Sequence, residues 1–169
     1  MRAEFVALSL GICLVAAGCG QKSDQNKTTT IAGNGGSVVY SGNGDHMVIK
    51  STNGNATVEY SSTGMVHANM PDFAPLYPGA KVTSSVSGTN TNSNGGSGAM
   101  VTFTVPASQS DVIAFYKQKA GAAGLGETMN MDQGNTMMFV AGKEKKSLQV
   151  VATKTDSGTQ AQVIWGNGE

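Results

Sequence analysis

Residues 99–125, AMVTFTVPASQSDVIAFYKQKAGAAGL, decide the fold. Before Pro106, valine and phenylalanine at every second position alternate with methionine and threonine. A period of two is typical of a strand that buries one face, so Ala99–Val105 is predicted to be a strand. Pro106 ends this alternation because proline fixes φ and removes a backbone donor.

The second half of the stretch predicts the clearest helix in the chain. Ser108 and Asp111 match a capping box, in which each side chain bonds the backbone N–H of the other. Apolar residues then recur on adjacent turns and form one face. They are Val112, Ile113, Phe115, Tyr116, Ala120 and Ala123. Gly124 is a suitable helix end, and Leu125 is expected to pack back on the last turn.

Five more strand-like runs surround this stretch. They are Lys81–Ser87, Glu127–Asp132, Thr136–Ala141, Ser147–Lys154 and Gln160–Trp165. The residues of Gly88–Gly98 are almost all Gly, Ser, Asn and Thr, which predicts a mobile hairpin loop. The order after residue 80 is ββαββββ. We therefore predict an α+β domain over residues 70–169, with one amphipathic helix on one face of an antiparallel sheet.

Residues 37–69 contain a ten-residue repeat, with Val38, Val48 and Val58 in step. Asn-Gly pairs recur between the valines, and they tolerate the positive φ of tight hairpin turns. The repeat therefore predicts a short β-meander, since one strand plus one turn accounts for the period. Its strands are Ser37–Ser41, His46–Ser51 and Ala56–Ser61.

The N-terminal residues 1–18 have the composition of a signal peptide. Arg2 supplies a positive charge, an apolar run of Phe5–Ala17 follows, and small residues precede Cys19. Cleavage is predicted between Gly18 and Cys19. The polar, Gly/Asn/Thr-rich residues 19–36 are then expected to form a flexible tether.

The sequence Leu14-Val15-Ala16-Ala17-Gly18-Cys19 resembles the lipobox of bacterial lipoproteins. The resemblance implies that Cys19 carries diacylglycerol and, after cleavage, an N-acyl chain such as palmitate, which would anchor the protein to a membrane. Gly20 instead of aspartate implies the outer membrane of a Gram-negative cell, facing the periplasm. Ordinary signal-peptidase cleavage with a free Cys19 is the alternative.

The amino-acid composition limits the classes of partner and cofactor that we expect. The 169 residues include 11 lysines and arginines against 11 aspartates and glutamates, so there is no net charge to attract nucleic acid. Cys13 leaves with the signal peptide and Cys19 is acylated. We therefore predict no disulfide, no zinc–cysteine motif and no cofactor.

Catalytic patterns are missing from the sequence. His46 and His67 are the only histidines, and there is no Gly-x-Ser-x-Gly elbow. Met65, His67 and Met70 are a minor candidate for a copper site, because thioether and imidazole ligands suit Cu(I). The more economical interpretation is that methionines fill gaps in the core. We therefore predict that the protein is not an enzyme and holds no metal.

Methionines and aromatic residues further along the chain are also assigned to the core. The period-two spacing of Met129 and Met131, with Met137 and Met138 across a turn, is typical of a buried strand face. The aromatic residues Tyr77, Phe115, Tyr116 and Trp165 could line a groove for a hydrophobic or glycan ligand. Core packing is favoured because the chain has few other large residues.

Two further motifs are Tyr77-Pro78-Gly79-Ala80 and Val112-Ile113-Ala114-Phe115-Tyr116-Lys117. Over residues 71–166 the chain resembles a group of small bacterial lipoproteins and secreted proteins that pair these two motifs. The resemblance supports the predicted fold and implies no particular activity. We expect a membrane-anchored envelope lipoprotein that binds an envelope protein or has a structural role. The alternative is a periplasmic protein that binds copper or a small ligand.

Overall fold

The computed structural model describes residues 27–33, 36–42, 44–51, 55–66, 69–91 and 95–168. These residues form one antiparallel sheet of ten strands and one helix. The elements are β1 (Lys27–Gly33), β2 (Gly36–Gly42), β3 (His46–Ser51), β4 (Ala56–Ser61), β5 (Lys81–Asn90), β6 (Gly96–Val105), α1 (Gln109–Ala122), β7 (Gly126–Asp132), β8 (Thr136–Lys143), β9 (Lys146–Thr155) and β10 (Gly158–Gly168). Across the sheet the order is β1-β2-β3-β4-β5-β6-β10-β9-β8-β7.

The predicted α+β class, with one helix against an antiparallel sheet, is confirmed. The order differs in detail from the prediction. Strand β1 lies in residues 19–36, where we expected a flexible tether, and it pairs along its whole length with β2. Its Thr and Ile side chains suit a strand, but the run lacks the alternation that would have revealed it. Cys19 and Gly18 lie outside the described residues.

The meander strands are present as β2, β3 and β4, and they continue directly into the main sheet because β4 pairs with β5. A second difference concerns Gly88–Gly98, which we expected to be a loop. Strands β5 and β6 extend into this stretch and pair as far as Asn90 with Gly96. Backbone hydrogen bonds between neighbouring strands form whatever the side chains are, so composition alone misled here.

The core lies between α1 and the half of the sheet that contains β5 to β10. Helix α1 contacts β7, β8, β9 and β10. In β6, β8, β9 and β10, every second side chain points toward the helix side of the sheet and is buried. One register row consists of Val101, Val163, Val150 and Phe139, which are at most 2% exposed.

Local interactions fix both ends of α1. The Ser108 side chain accepts a hydrogen bond from the Asp111 backbone N–H at 3.1 Å, as predicted. The other half of the cap differs, because the Ser108 hydroxyl donates to the Asp111 carboxylate at 2.6 Å. At the C-terminus Gly124 has a φ of +73°, and the Leu125 N–H bonds the Ala120 carbonyl at 2.9 Å. This Schellman-type end buries Leu125 as predicted.

The segment between β4 and β5 covers the part of the core that α1 leaves open. Phe73 and Ala74 are buried in the same cluster as the helix and the strands. The Tyr116 hydroxyl donates to the Pro75 carbonyl at 2.9 Å, which ties this segment to α1. Within the described residues, no helix is long and apolar enough to cross a membrane.

Candidate functional site

A cavity of about 370 Å³ opens on the helix side of the sheet, beyond the edge of the core. Strand β4 contributes Thr57 and Glu59 to its wall, and the segment before β5 contributes Asn69. The other lining residues come from β5, β6 and β10. They are Ser87, Gly88, Thr89, Ser97, Gly98 and Trp165.

The strand register brings these residues together. Glu59 pairs with Ser87, Ser87 with Ala99, and Ala99 with Trp165, so one row crosses four strands on one face. The next row places Thr57 beside Thr89, and Thr89 beside Ser97. Paired residues of antiparallel strands point to the same side. The polar residues therefore lie next to the buried Ala99 and Trp165, at the end of the apolar core.

Trp165 is the chemically most informative residue of this cavity. It is the only tryptophan in the chain and is 5% exposed. Its indole Nε1–H is buried and has no hydrogen-bond acceptor in the described residues. Leaving a buried donor unsatisfied costs about 1–3 kcal/mol, so most such donors have a partner. A bound ligand or an ordered water that accepted this hydrogen bond would remove the penalty.

The remaining groups can bind a polar molecule. Serine and threonine hydroxyls donate and accept, the Asn69 amide does both, and the Glu59 carboxylate accepts. Glu59 is the one ionisable side chain among the described residues that line the cavity. General acid–base catalysis generally needs positioned titratable groups in complementary roles. This wall offers one carboxylate without a second titratable partner.

A larger cavity, of about 750 Å³, lies at the N-terminus of α1, but several of its polar groups already have structural roles. Ser108 and Asp111 cap the helix. The Gln109 side chain donates to the carbonyls of Asn135 and Ala152 at 2.7 and 2.9 Å. The Thr159 hydroxyl likewise donates to the Ala107 carbonyl at 2.7 Å. These groups are not available for a ligand unless the helix start is disturbed.

The copper candidates Met65, His67 and Met70 are only partly described by the structure. Met65 is 54% exposed, and Met70 is half-buried against the core. His67 lies outside the described residues, so the convergence of the three is not tested. Within the described ranges, no group of three or more His, Cys, Asp or Glu side chains could hold a metal ion.

The assignment of the strand methionines to the core is wrong for Met129, Met131 and Met138. Met129 is 51% exposed, and Met131 pairs with Met138 on the face opposite α1. Met137, one residue along, faces the helix and packs against the core. Period-two spacing shows that side chains share a face, but it does not show which face is covered.

The core assignment of the four aromatic residues is confirmed for Tyr116 and Trp165, which are buried. Tyr77 and Phe115 are half-buried and pack edge to face, with ring centroids 4.9 Å apart. Burial raises the pKa of the Tyr116 hydroxyl above its usual range. Four residues that line the Trp165 cavity were missed because the glycine-rich hairpin was assigned to a loop: Gly88, Thr89, Ser97 and Gly98. Thr57, Glu59, Asn69 and Ser87 were missed because the long-range contacts that bring them to the cavity leave no short motif in the sequence.

Comparison with known proteins found one similarity. Residues 83–161 match a family model described as START domain-like. This stretch of the chain is similar to that family. It contains α1 and the cavity residues Ser87, Gly88, Thr89, Ser97 and Gly98, whereas Glu59, Asn69 and Trp165 lie outside it. No curated protein and no solved structure matches the chain.

Proposed function

We propose that the chain is a non-catalytic binding protein for a small ligand, which occupies the cavity beside Trp165. The observation that carries the proposal is a polar cavity against Trp165, whose buried indole N–H has no acceptor in the described residues. The START domain-like similarity supports a small-ligand-binding domain. The lining of hydroxyl, amide and carboxylate groups supplies the few convergent polar contacts that such pockets use for orientation.

The cavity restricts the ligand. Its volume of about 370 Å³ is near the lower end of the range of ligand pockets, so the ligand is small. Glu59 is the charged group of the wall, and it would repel an anion. A neutral polyhydroxy compound or a small amine matches the available donors and acceptors better than a phosphate or a carboxylate does.

Tryptophan fluorescence tests this proposal directly, because Trp165 is the chain's only tryptophan. We would titrate the protein with a panel of small polyols and amines while recording emission. A ligand at the proposed site should produce a saturable change. By calorimetry, Trp165→Phe should weaken its binding about tenfold, as expected when one hydrogen bond is lost. Glu59→Gln should weaken the binding of an amine more than that of a polyol.

Lys154→Ala is the matched control, because Lys154 lines the larger cavity at the start of α1 and lies outside the proposed site. It should leave affinity unchanged. The proposal fails if no compound of either class binds. It also fails if Lys154→Ala weakens binding while Trp165→Phe and Glu59→Gln do not.

The location of this binding domain is a second part of the proposal. The lipobox-like sequence supports a lipid anchor on Cys19, and Gly20 supports the outer membrane, facing the periplasm. Cys19→Ala should therefore release the protein from the membrane fraction or leave the signal peptide attached. An unchanged mass and unchanged membrane association in this variant would contradict the anchor.

A further inference from the structure

The sheet face opposite α1 is unusual because no charged side chain interrupts it from β3 to β7 along three register rows of the described strands. The central row consists of Met47, Tyr60, Val86, Met100, Ile164, Gln149, Val140 and Met129. Seven of these eight side chains are apolar or aromatic. We call this row the ridge. Val58 beside it is 41% exposed, and Met129 at its end is 51% exposed.

A row of small residues runs beside the ridge, two residues along each strand except β7, where a bulge between Glu127 and Met129 makes the step three residues. It consists of Gly88, Gly98, Gly166, Ser147, Gly142 and Gly126, on β5, β6, β10, β9, β8 and β7. We call this row the trough. A depression of about 350 Å³ lies where ridge and trough meet, and Val86, Met100 and Ile164 contribute to its wall.

Close packing within the chain explains why glycine is needed at some positions of the trough but not at others. A Cβ at Gly98 would lie 2.9 Å from the Trp165 carbonyl, so glycine is required there. A Cβ at Gly88 or Gly126 would meet nothing closer than 3.8 Å. Glycine inside a strand weakens it and often marks a place where another chain approaches closely. Gly88 and Gly126 therefore leave space that the chain itself does not need.

Ridge and trough are complementary to each other under a two-fold axis. The axis lies in the plane of the interface, midway between the two rows and parallel to them. It turns the ridge of one copy onto the trough of the other. Val86, Met100 and Ile164 would then lie over the partner's Gly88, Gly98 and Gly166. Isologous contacts of this kind generate the closed dimers that are the commonest oligomers, and face-to-face sheets pack in this way.

The extent and charge of the face also favour a second copy. The third row lies on the other side of the ridge and consists of Ser84, Thr102, Gln162, Val151, Met138 and Met131. The three rows hold 20 residues, the lower end of the roughly 20–30 residues that each partner contributes to a standard interface. The missing charge makes an anionic membrane surface a poor partner, because such surfaces attract basic residues. We propose that two copies of this chain associate face to face through the ridge and the trough.

Photo-cross-linking of the full chain in the envelope of a bacterial host tests this proposal. Met100 on the ridge is replaced by benzoylphenylalanine, and the same probe replaces the exposed Ala114 on α1 as the control. Irradiation should yield a product of twice the chain mass from position 100 and none from position 114. Mass spectrometry should locate the cross-link in the partner's β5 or β6.

Gly126→Leu in the probe-bearing chain separates docking from folding. A Cβ at Gly126 would meet nothing closer than 3.8 Å, and Gly126 lines neither of the two cavities described above. The variant should therefore fold with unchanged Trp165 emission, while the leucine would fill one end of the trough. The yield of cross-linked dimer should fall about tenfold, the effect of a modest loss of interface energy. An unchanged yield in the folded variant overturns the proposal. So does the absence of dimer from position 100, or a product that contains lipid or another protein instead.

Discussion

The two halves of the sheet are both built of antiparallel strands, but their side chains are buried to very different extents. From β5 to β10 one face is closed by α1 and by the segment around Phe73, and the side chains between them are almost completely buried. Among the described residues of β2, β3 and β4, Ser61 alone is buried. We call these three strands the wing.

The difference indicates where stability originates. Burial of apolar area is the main favourable term in folding, and the wing has little of it. The wing is stabilised by backbone hydrogen bonds to its neighbours and by cross-strand contacts, and small isolated β-structures of this kind are marginal in water. It therefore depends on β5 for its order. The half of the sheet with the core should tolerate loss of the wing better than the wing tolerates loss of that half.

The largest expected effect is that of Phe103→Ala. Phe103 is 0% exposed at the centre of the core half. Its replacement removes the buried ring and leaves a cavity, so the free energy of unfolding should fall by about 3–5 kcal/mol. Urea unfolding followed by circular dichroism measures this loss. A decrease below about 1 kcal/mol would mean that the core can close around the gap, contrary to the packing described.

A smaller effect is expected for Tyr116→Phe, which keeps the ring and removes the hydroxyl. The hydrogen bond to the Pro75 carbonyl is lost, and the free energy of unfolding should decrease by about 1–2 kcal/mol. Tyr77→Phe is a suitable control because its ring is only half-buried on the same surface. Equal losses in the two variants would show that the Tyr116–Pro75 bond has no special role.

The raised pKa of Tyr116 also predicts that the free energy of unfolding depends on pH in the alkaline range. The folded-state pKa of Tyr116 is raised by burial, so the folded protein holds this proton more tightly than the unfolded chain does, where the pKa is about 10. The stabilisation from this group is complete below that value and is lost progressively as the pH rises above it. Stability of the wild type should therefore fall at strongly alkaline pH, and in Tyr116→Phe this decline should be shallower. Parallel alkaline curves would rule out Tyr116 as the source.

Ser108→Ala removes the N-cap of α1. The Asp111 N–H loses its acceptor, and the free energy of unfolding should decrease by about 1 kcal/mol. Ser110→Ala is the control, because Ser110 contacts the Ser108 hydroxyl but does not accept from the helix backbone. If Ser110→Ala were the more damaging change, the cap would lie elsewhere than we describe.

The same contrast between the halves determines what the sequence can predict. Helix α1 and the strands after residue 80 were predictable because capping residues and alternating side chains are local signals. Strand β1 was not predictable, since its sequence KTTTIAG shows no alternation of apolar and polar residues. The pairing of β10 with β6 was not predictable either, because it joins segments far apart in the chain. Glu59 and Trp165 meet at the cavity only through such pairings, so no short motif marks the site.

The smallest expected effect is that of Val58→Ala in the wing, and Val101→Ala in the core half is its matched partner. Both changes remove the same two methyl groups from neighbouring parts of one sheet, but Val58 is 41% exposed and Val101 is 0% exposed. Val58→Ala should change the free energy of unfolding by no more than about 0.5 kcal/mol. Val101→Ala should lower it by roughly 2 kcal/mol from lost burial alone. These values hold for dilute protein, in which face-to-face association is absent. If Val58→Ala were as costly as Val101→Ala under those conditions, the wing would have a buried interior of its own.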